Sequence, residues 1–350
     1  MTTYRLERRG IVMVPDKEDS REAWGVLNPA VVRGRDGDRY LLPRLVAENN
    51  LSCIGLCRIL ADDHGDPCGV ERLGVVLEPQ LLWERNAVTA GVEDPRVTFV
   101  EALDTYVMTY AAYGPFGARI GLAVSDDLRH WRRLGPVTFD YEPELGADLN
   151  LYPNKDAVWF PEPVPGPDGA PAFAMLHRPS WNLEEVAMLG YDAVPPGLAD
   201  RRPAIWVSYV PVDAVGDDLR GLTRQLGHRC VAYAEQPWEE LKIGGGTPPI
   251  RTEHGWLSVF HGVSGRYLLG VALQPCVHYA AGVMVHDPQD VARLRYRSAR
   301  PLLQPELDEE RVGTVPNVVF PTGIDVRDDH AADVYYGMAD SRIGWARLTW

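Results

Sequence analysis

The sequence has few cysteines, no long apolar run and no excess of basic residues, and each absence excludes a class of protein. No apolar run approaches the roughly 20 residues that a membrane-spanning helix needs, so we predict no membrane segment. Five cysteines among 350 residues are too few and too scattered for a disulfide-stapled domain or a zinc ribbon, which favours reduced thiols. The first residues carry no charged, apolar leader pattern, and we therefore expect a cytoplasmic protein.

The net charge of −14 at pH 7 argues against two kinds of partner. Nucleic acid needs a basic protein surface, and so does an anionic membrane. An anionic small molecule would have to bind at a local basic cluster that overrides the overall field. The sequence therefore predicts no nucleic-acid partner and no membrane partner, and nothing in it calls for a metal or an organic cofactor.

Short strand-like runs recur along the chain, whereas helical periodicity is scarce. In residues 106–110, successive side chains face opposite sides of one strand. The 33 glycines and 29 prolines punctuate the gaps between such runs. The runs are residues 26–32, 40–45, 54–59, 97–100, 106–113, 120–124, 157–160, 173–176, 204–210, 257–261, 268–273 and 333–336.

Two features favour a propeller over a sandwich or a barrel. Residues 120–125 have a counterpart in residues 267–273, which indicates a weak internal repeat. Polar groups also stand at strand beginnings about one repeat apart, and inner strands of a propeller converge on its axis, so these groups would meet at one mouth. At about 70 residues per four-stranded blade, five blades use the whole chain. We therefore expect residues 1–350 to form a single all-β domain, a five-bladed β-propeller that carries the active site.

Glu93 and Asp94 are adjacent carboxylates ahead of a strand-like run. Side chains that are adjacent on an extended segment point in opposite directions. One carboxylate can therefore enter a cleft while the other pairs with a neighbour such as Arg96. A carboxylic acid in a partly desolvated cleft has a raised pKa and can donate a proton. The pattern is also common in ordinary turns, and the residues alone leave that alternative open.

Basic or imidazole side chains stand at three further strand ends, at Lys155, Arg178 and His261. Each has an ordinary structural explanation, such as a surface charge, a salt bridge or a buried histidine. Together they supply the groups that an oxyanion such as phosphate needs. Asp340 follows a strand and a glycine and can reach the same mouth. The aromatic candidates for stacking on a sugar, which could equally be core residues between blades, are Trp181, Tyr336 and Trp345.

These residues resemble glycoside hydrolase family 130, the β-mannoside phosphorylases and related mannosidases. The resemblance extends over nearly the whole chain and implies a five-bladed propeller. The motifs that carry it are Asn28-Pro29-Ala30, Gly91-Val92-Glu93-Asp94-Pro95-Arg96, Asn154-Lys155-Asp156, Phe160-Pro161-Glu162, His177-Arg178-Pro179, Pro248-Pro249-Ile250, His261-Gly262, Val315-Pro316-Asn317 and Tyr335-Tyr336-Gly337-Met338-Ala339-Asp340.

The resemblance implies a role for each candidate. Asp94 matches the family's catalytic acid, which protonates the glycosidic oxygen through a hydroxyl of the mannosyl unit. Phosphate then attacks the anomeric carbon from the opposite face, inverts it and releases α-mannose 1-phosphate. The residues implied in phosphate binding are Lys155, Arg178 and His261, and those implied in sugar binding are Asn28, Arg44, Asp340, Tyr336 and His177. Lys155 replaces an arginine that is frequent in the family, and a lysine ammonium is a point charge that lacks the bidentate geometry of a guanidinium.

Inverting cleavage needs one acid and a nucleophile on the far face of the sugar. A hydrolase needs a second carboxylate to activate water, for which Glu162 is the candidate. A phosphorylase instead needs a cradle of positively charged side chains that binds phosphate. The cradle candidates favour phosphorolysis of a small β-mannoside, with inorganic phosphate as co-substrate and no cofactor. The alternatives are an inverting β-mannosidase and a non-catalytic glycan-binding propeller. Family members are often oligomeric, so the resemblance also allows a homo-oligomer.

Overall fold

The computed structural model describes residues 2–85, 90–181, 194–195, 197–268 and 274–350. Regular structure in these ranges is almost entirely β-strand, which confirms the all-β prediction. The single α-helix of the described part is the four-residue turn α1, Asp308–Arg311. No helix in these ranges has the length and apolar character of a membrane-spanning segment. All five cysteines are free thiols.

Short 3₁₀ turns connect many of the strands. They span Ser20–Glu22, Glu48–Asn50, Leu82–Glu84, Glu101–Leu103, Pro143–Leu145, Leu149–Leu151, Val212–Ala214, Arg220–Thr223 and Pro237–Glu239. The N-terminal strand is β1, Arg5–Met13. The next eight strands are β2 (Gly25–Arg33), β3 (Arg39–Val46), β4 (Leu51–Ala61), β5 (Pro67–Leu77), β6 (Ala90–Val100), β7 (Thr105–Gly114), β8 (Gly117–Ser125) and β9 (Arg132–Pro136).

The second half of the chain continues this pattern. Strands β10 to β15 are Thr138–Phe139, Asn154–Trp159, Val164–Pro165, Pro171–Pro179, Ile205–Pro211 and Arg224–Ala232. Strands β16 to β20 are Lys242–Gly245, Ile250–Thr252, Gly255–Gly265, Val277–Asp287 and Asp290–Arg297. Strands β21 to β23 are Val319–Asp328, Ala331–Met338 and Arg342–Thr349. Of the predicted run at 268–273, Leu268 is in no strand, and residues 269–273 lie outside the described residues.

In the described ranges these strands form five antiparallel meanders, which we call units 1 to 5. An eight-stranded sheet holds unit 1 (β2–β5) and unit 2 (β6–β9), joined where β4 runs parallel to β6 at Leu51–Ala90 and Ser52–Gly91. Three further sheets hold unit 3 (β11, β13, β14 and β15), unit 4 (β16, β18, β19 and β20) and unit 5 (β21, β22, β23 and β1). The short strands β10, β12 and β17 pair along the edges of units 3 and 4.

Unit 5 is completed by the first strand of the chain. β1 pairs antiparallel with β23, from Arg5 opposite Thr349 to Met13 opposite Ile343. The two ends of the chain therefore lie in one sheet, and the backbone groups of β23 are paired on both sides.

Apolar side chains of the described residues fill five cores, each between two successive units. The strand alternation explains this arrangement. On β7, Tyr106, Met108 and Tyr110 point into the core shared with unit 1, whereas Val107 points into the core shared with unit 3. Both faces of such a strand are buried, because successive side chains leave on opposite sides. Unit 5 also shares a core with unit 1, through residues such as Tyr335 and Leu41.

A buried glutamate precedes the first strand of four units, and it is almost fully buried each time. It lies in the short helical turn and accepts a hydrogen bond from an arginine on the outermost strand of the same unit. The pairs are Glu22–Arg72, Glu84–Arg133, Glu239–Arg297 and Glu310–Arg8. The carboxylates of Glu84, Glu239 and Glu310 also accept from backbone N–H groups of their own turn. Each pair therefore ties the innermost edge of a unit to its outermost strand.

Candidate active site

Side chains from all five units line a cavity with a volume of about 170 Å³. Its polar and charged lining consists of Asn28, Arg44, Asp94, Lys155, Asp156, Arg178, Lys242, His261, Gln274 and Asp340. Val277, Tyr279, Val315, Val318 and Phe320 complete the wall. The resemblance assigned a catalytic, phosphate-binding or sugar-binding role to nine residues, and the structure brings all of them except His177 and Tyr336 to this cavity.

Local backbone geometry explains why three of these side chains enter the cavity. Asn28, Asp94 and Asp156 have φ angles of 44°, 48° and 55°. Each lies on the first strand of its unit, where the register with the next strand shifts. Asn and Asp adopt this left-handed region more readily than other non-glycine residues. Because a β-bulge bends the strand and redirects a side chain, it carries these polar groups out of the cores between units.

Asp94 is held as a hydrogen-bond acceptor. Its Oδ1 accepts from Asn28 Nδ2 at 2.8 Å and from Arg44 Nη1 at 3.2 Å. Burial by itself raises the pKa of Asp94, but the charges of Arg44, Arg96 and Lys155 outweigh it. The net pKa of this carboxyl is therefore lowered. The sequence predicted a raised pKa for Asp94, and this prediction is wrong, because the neighbouring protein charges lower the pKa.

The raised pKa belongs instead to Asp340 and Glu93. Burial, together with the neighbouring charges of Asp94 and Glu93, raises the pKa of Asp340 to about 6, against the opposing attraction of Arg44. Burial also raises the pKa of Glu93, although its Oε1 lies 2.9 Å from Arg44 Nη2. Three carboxyls thus share one guanidinium, and repulsion among them favours keeping a proton on one of them.

A second group of charges in the cavity is cationic and consists of Arg178 and Lys242, and the charge of Lys155 acts on this group as well as on Asp94. Lys242 was missed by the sequence reasoning, because a lysine at a strand start is usually a surface charge. Its Nζ lies 5.4 Å from the ring centre of Tyr279 and 5.5 Å from that of Tyr267. Burial, and then the charges of Arg178 and Lys155, lower the pKa of Lys242. Its nearness to the Gly-rich segment that follows was the one available signal.

His261 reaches the cavity as predicted, but as a neutral ring. Burial lowers its pKa to about 3, and Arg178 and Lys242 add to this against the opposing charge of Asp156. Among the described residues, neither ring nitrogen has a hydrogen-bond partner. The imidazole packs against Phe320, with ring centres 4.5 Å apart. His261 can therefore donate or accept a hydrogen bond in the cavity but adds no positive charge.

His177 and Tyr336 lie outside the cavity, so the structure does not bring them to the sugar-binding positions that the resemblance implies. The Nε2 of His177 lies 2.7 Å from Ser208 Oγ, inside unit 3. The Tyr336 hydroxyl donates to Glu310 at 3.0 Å in the interior of unit 5. Trp181 and Trp345 are likewise core residues between units.

Glu162, the candidate base of a hydrolase, is exposed. Its carboxylate lies 4.0 Å from Arg251, and it does not line the cavity. Within the described ranges, no three His, Cys, Asp or Glu side chains are grouped as a metal site requires.

The charges of the cavity divide into two groups that Lys155 connects. One group is the carboxyls of Asp94 and Asp340 beside Arg44, and the other is Arg178 with Lys242. The charge of Lys155 acts on members of both groups. A cavity with a proton donor and a cationic anion site can cleave an acid-labile bond by transfer to an anion.

Known structures share this fold. A beta-1,2-mannobiose phosphorylase from Listeria innocua, solved with beta-1,2-mannobiose, superposes with a TM-score of 0.71 over 99% of this chain and 97% of that one. The two sequences are 21% identical, so this likeness concerns the fold alone.

The sequence comparison identifies the family. The sequence model of glycoside hydrolase family 130, described as beta-1,4-mannooligosaccharide phosphorylase, matches residues 3–182 and 198–350. A 1,2-beta-oligomannan phosphorylase of Thermoanaerobacter sp. (strain X514) is 30% identical over 275 residues, 77% of this chain and 72% of that protein. A beta-1,2-mannobiose phosphorylase of the same organism is 32% identical over 273 residues, 77% and 70% of the two chains. The chain therefore belongs to glycoside hydrolase family 130.

Proposed function

We propose that this protein is an inverting phosphorylase of small β-mannosides that transfers a mannosyl unit to inorganic phosphate and releases α-mannose 1-phosphate. The observation that carries the proposal is the division of one cavity into a carboxyl group around Asp94 and a cationic group around Arg178 and Lys242. The relatives named as phosphorylases of beta-1,2- and beta-1,4-linked mannosides support the same substrate class.

The reaction forms one bond and breaks one bond at the anomeric carbon. A phosphate oxygen attacks that carbon from the face opposite the leaving group, and the bond to the glycosidic oxygen breaks. Asp94 supplies the proton that this oxygen takes up, relayed through a hydroxyl of the mannosyl unit. Phosphate is already an anion, so no protein base has to activate the nucleophile. The configuration at the anomeric carbon inverts because there is a single displacement.

Phosphate binding is what makes Asp94 a proton donor in this scheme. In the cavity by itself, Lys155, Arg44 and Arg96 hold the Asp94 carboxyl in its ionised form. A phosphate dianion beside Lys155 adds negative charge that offsets this positive field and raises the pKa of Asp94. A sugar that displaces water strengthens the effect, because desolvation disfavours the charged carboxylate. The acid therefore becomes competent when both substrates are bound.

Two sets of side chains divide the binding. Lys155, Arg178 and Lys242 supply the positive charge of the phosphate subsite, and His261 supplies a hydrogen bond. The mannosyl unit is held by Asn28, Arg44 and Asp340, which surround Asp94.

The proposal also covers the architecture, the cofactor requirement and the location of the protein. The five units are the blades of a five-bladed β-propeller, and residues 1–350 form a single catalytic domain around its axis. The cores between all successive units, the fifth and the first included, support this proposal. Phosphate is a co-substrate and no other cofactor takes part, and the protein works in the cytoplasm.

The test is product analysis with phosphate as the variable. The protein is incubated with β-1,2-mannobiose and separately with β-1,4-mannobiose, with and without inorganic phosphate, and sugar phosphate and free mannose are quantified. We expect α-mannose 1-phosphate only with phosphate, and loss of turnover in Asp94→Asn with sugar binding retained. Release of two mannose molecules in phosphate-free buffer would indicate the hydrolase. An inert wild-type protein that still binds mannosides would indicate a glycan-binding protein.

A further inference from the structure

Asp156 lines the cavity but has no role in the scheme above. It is 3% exposed and lies in the bulge of β11 with a φ of 55°. A buried carboxylate beside an anion site is unexpected, because like charges repel. Its contacts indicate what it does there.

The carboxylate of Asp156 is close to three buried side chains, of which Arg178 and His261 line the cavity and Arg96 lies behind it. Its Oδ2 accepts a hydrogen bond from Arg178 Nε at 2.6 Å. The same oxygen lies 3.7 Å from His261 Nε2, and Oδ1 lies 4.0 Å from Arg96 Nη2. Burial alone raises the pKa of Asp156, but the charges of Arg178, Arg96 and Lys155 outweigh it and keep the pKa well below its ordinary value. The carboxyl of Asp156 is therefore an anion at neutral pH.

Arg96 extends this contact to the acid. Its Nη1 donates to the backbone oxygen of Asp94 at 2.8 Å, and its Nε donates to the backbone oxygen of Gly246 at 3.2 Å. The Asp156 carboxylate thus lies between the guanidinium that holds the Asp94 bulge and the guanidinium of the phosphate subsite. Units 2, 3 and 4 meet at this point.

The opposite wall leaves room for the carboxylate. A Cβ on Gly244 would lie 2.3 Å from Asp156 Oδ2 and 2.4 Å from His261 Cε1, closer than atoms can approach. Any side chain at this position would displace the carboxylate or the imidazole. The glycine therefore fits an arrangement in which Asp156 occupies a defined place.

We propose that Asp156 is the positioning residue of the phosphate subsite, whose carboxylate fixes the Arg178 guanidinium and, through Arg96, its distance from Asp94. The inference rests on the proposed phosphate site. A guanidinium held at Nε has a fixed plane, which suits a bidentate contact with an oxyanion. In Arg178, Nη1 also donates to Ser180 Oγ at 3.2 Å, which leaves Nη2 and the second hydrogen of Nη1 for the anion. The carboxylate contributes orientation, since its charge alone would weaken phosphate binding.

Two substitutions separate orientation from charge. Asp156→Asn keeps an oxygen that accepts from Arg178 Nε but removes the charge, whereas Asp156→Ala removes both. Positioning predicts that Asp156→Ala raises the Kd for inorganic phosphate by at least about tenfold, the usual loss with a charge-assisted hydrogen bond. Asp156→Asn should stay within about threefold of the wild type. If both variants bind phosphate more tightly than the wild type, charge is the dominant effect and the proposal is wrong.

The measurement is isothermal titration calorimetry of the full chain with inorganic phosphate and no sugar, so catalysis is not required. A wild-type protein that binds no phosphate would refute the proposed function itself, whereas equal binding by wild type and Asp156→Ala would refute only the positioning role. In the background of Arg178→Ala, adding Asp156→Ala should change the Kd by less than about twofold, because coupled residues are not additive. Additive losses would contradict the inference. If Asp156→Ala fails to fold, Gly244→Ala replaces it, and unchanged phosphate binding there overturns the proposal.

Discussion

Asp340 is the cavity residue whose substitution tests the electrostatics most directly. Its carboxyl lies near Asp94 and Glu93, and burial together with their charges raises its pKa to about 6, from an ordinary value of 3.8. An acid whose pKa is raised by folding binds a proton more tightly in the native than in the unfolded state. It therefore destabilises the native state as pH rises from the unfolded pKa to the folded pKa.

The size of this effect follows from the shift. A pKa of about 6 against 3.8 corresponds to as much as about 3 kcal/mol of stability lost once the carboxyl is ionised in both states. Linkage puts the loss at about 3 kcal/mol near pH 7.5 and about 0.5 kcal/mol near pH 4. Asparagine has nearly the shape of aspartate and tolerates the φ of 49° at this position. Asp340→Asn should therefore make the protein more stable at neutral pH, with a much smaller gain in acid, while it weakens mannoside binding.

Urea unfolding followed by circular dichroism at the two pH values measures this difference. Asp94→Asn is the matched control, because the pKa of Asp94 is lowered and its ionised form is stabilising. The control should lose stability near pH 7.5, and the loss should shrink as pH falls through the folded pKa. If Asp340→Asn changes stability by the same amount at both pH values, Asp340 does not carry the raised pKa and the charge analysis of the cavity is wrong.

Three further substitutions test the site and the fold. Lys242→Met should raise the KM for phosphate by at least about tenfold, because a charged contact with the anion is lost, and should leave the KM for the mannoside within about twofold. Initial rates measured with each substrate varied in turn give both KM values. Glu239→Gln should cost about 2–4 kcal/mol in urea unfolding, since it leaves the partly buried Arg297 with only the exposed carboxylate of Glu235 as an ionic partner, whereas the exposed Glu162→Gln should change little. Equal effects would contradict the role of the buried pairs. Tyr336→Phe should lose about 1 kcal/mol of stability, because its hydrogen bond to Glu310 is removed, and should leave the KM for the mannoside unchanged. A raised KM for the mannoside would place Tyr336 in the sugar site.

The strands were predictable because their signals are local. Alternation along residues 106–110 and the turn residues between runs depend on near neighbours in the sequence, and the structure has β7 at that place. The positions of Asn28 and Asp94 could be found in the same way, since each directly precedes a proline within or just ahead of a strand-like run. The residue resemblance to family 130 also brought Arg44 into the set of candidates, and Arg44 lines the cavity.

The direction in which a side chain points and the pKa of a buried group were not predictable in this way. Tyr336 and Asp340 belong to one motif, yet Tyr336 points into the interior of unit 5 and Asp340 into the cavity. Lys242 carried no motif, and only the fold places it beside Tyr279 and within reach of the charges of Arg178. Sequence spacing does not encode these contacts, because they join residues that are far apart in the chain.

The sequence by itself determined the all-β class, most of the strands, the family and seven of the nine predicted cavity residues. Only the tertiary structure decided which carboxyl has a raised pKa, which histidine has a lowered pKa and which aromatic rings are core. A pKa depends on burial and on charges a few ångströms away, and those neighbours come from residues as distant in the chain as Arg44 and Asp340.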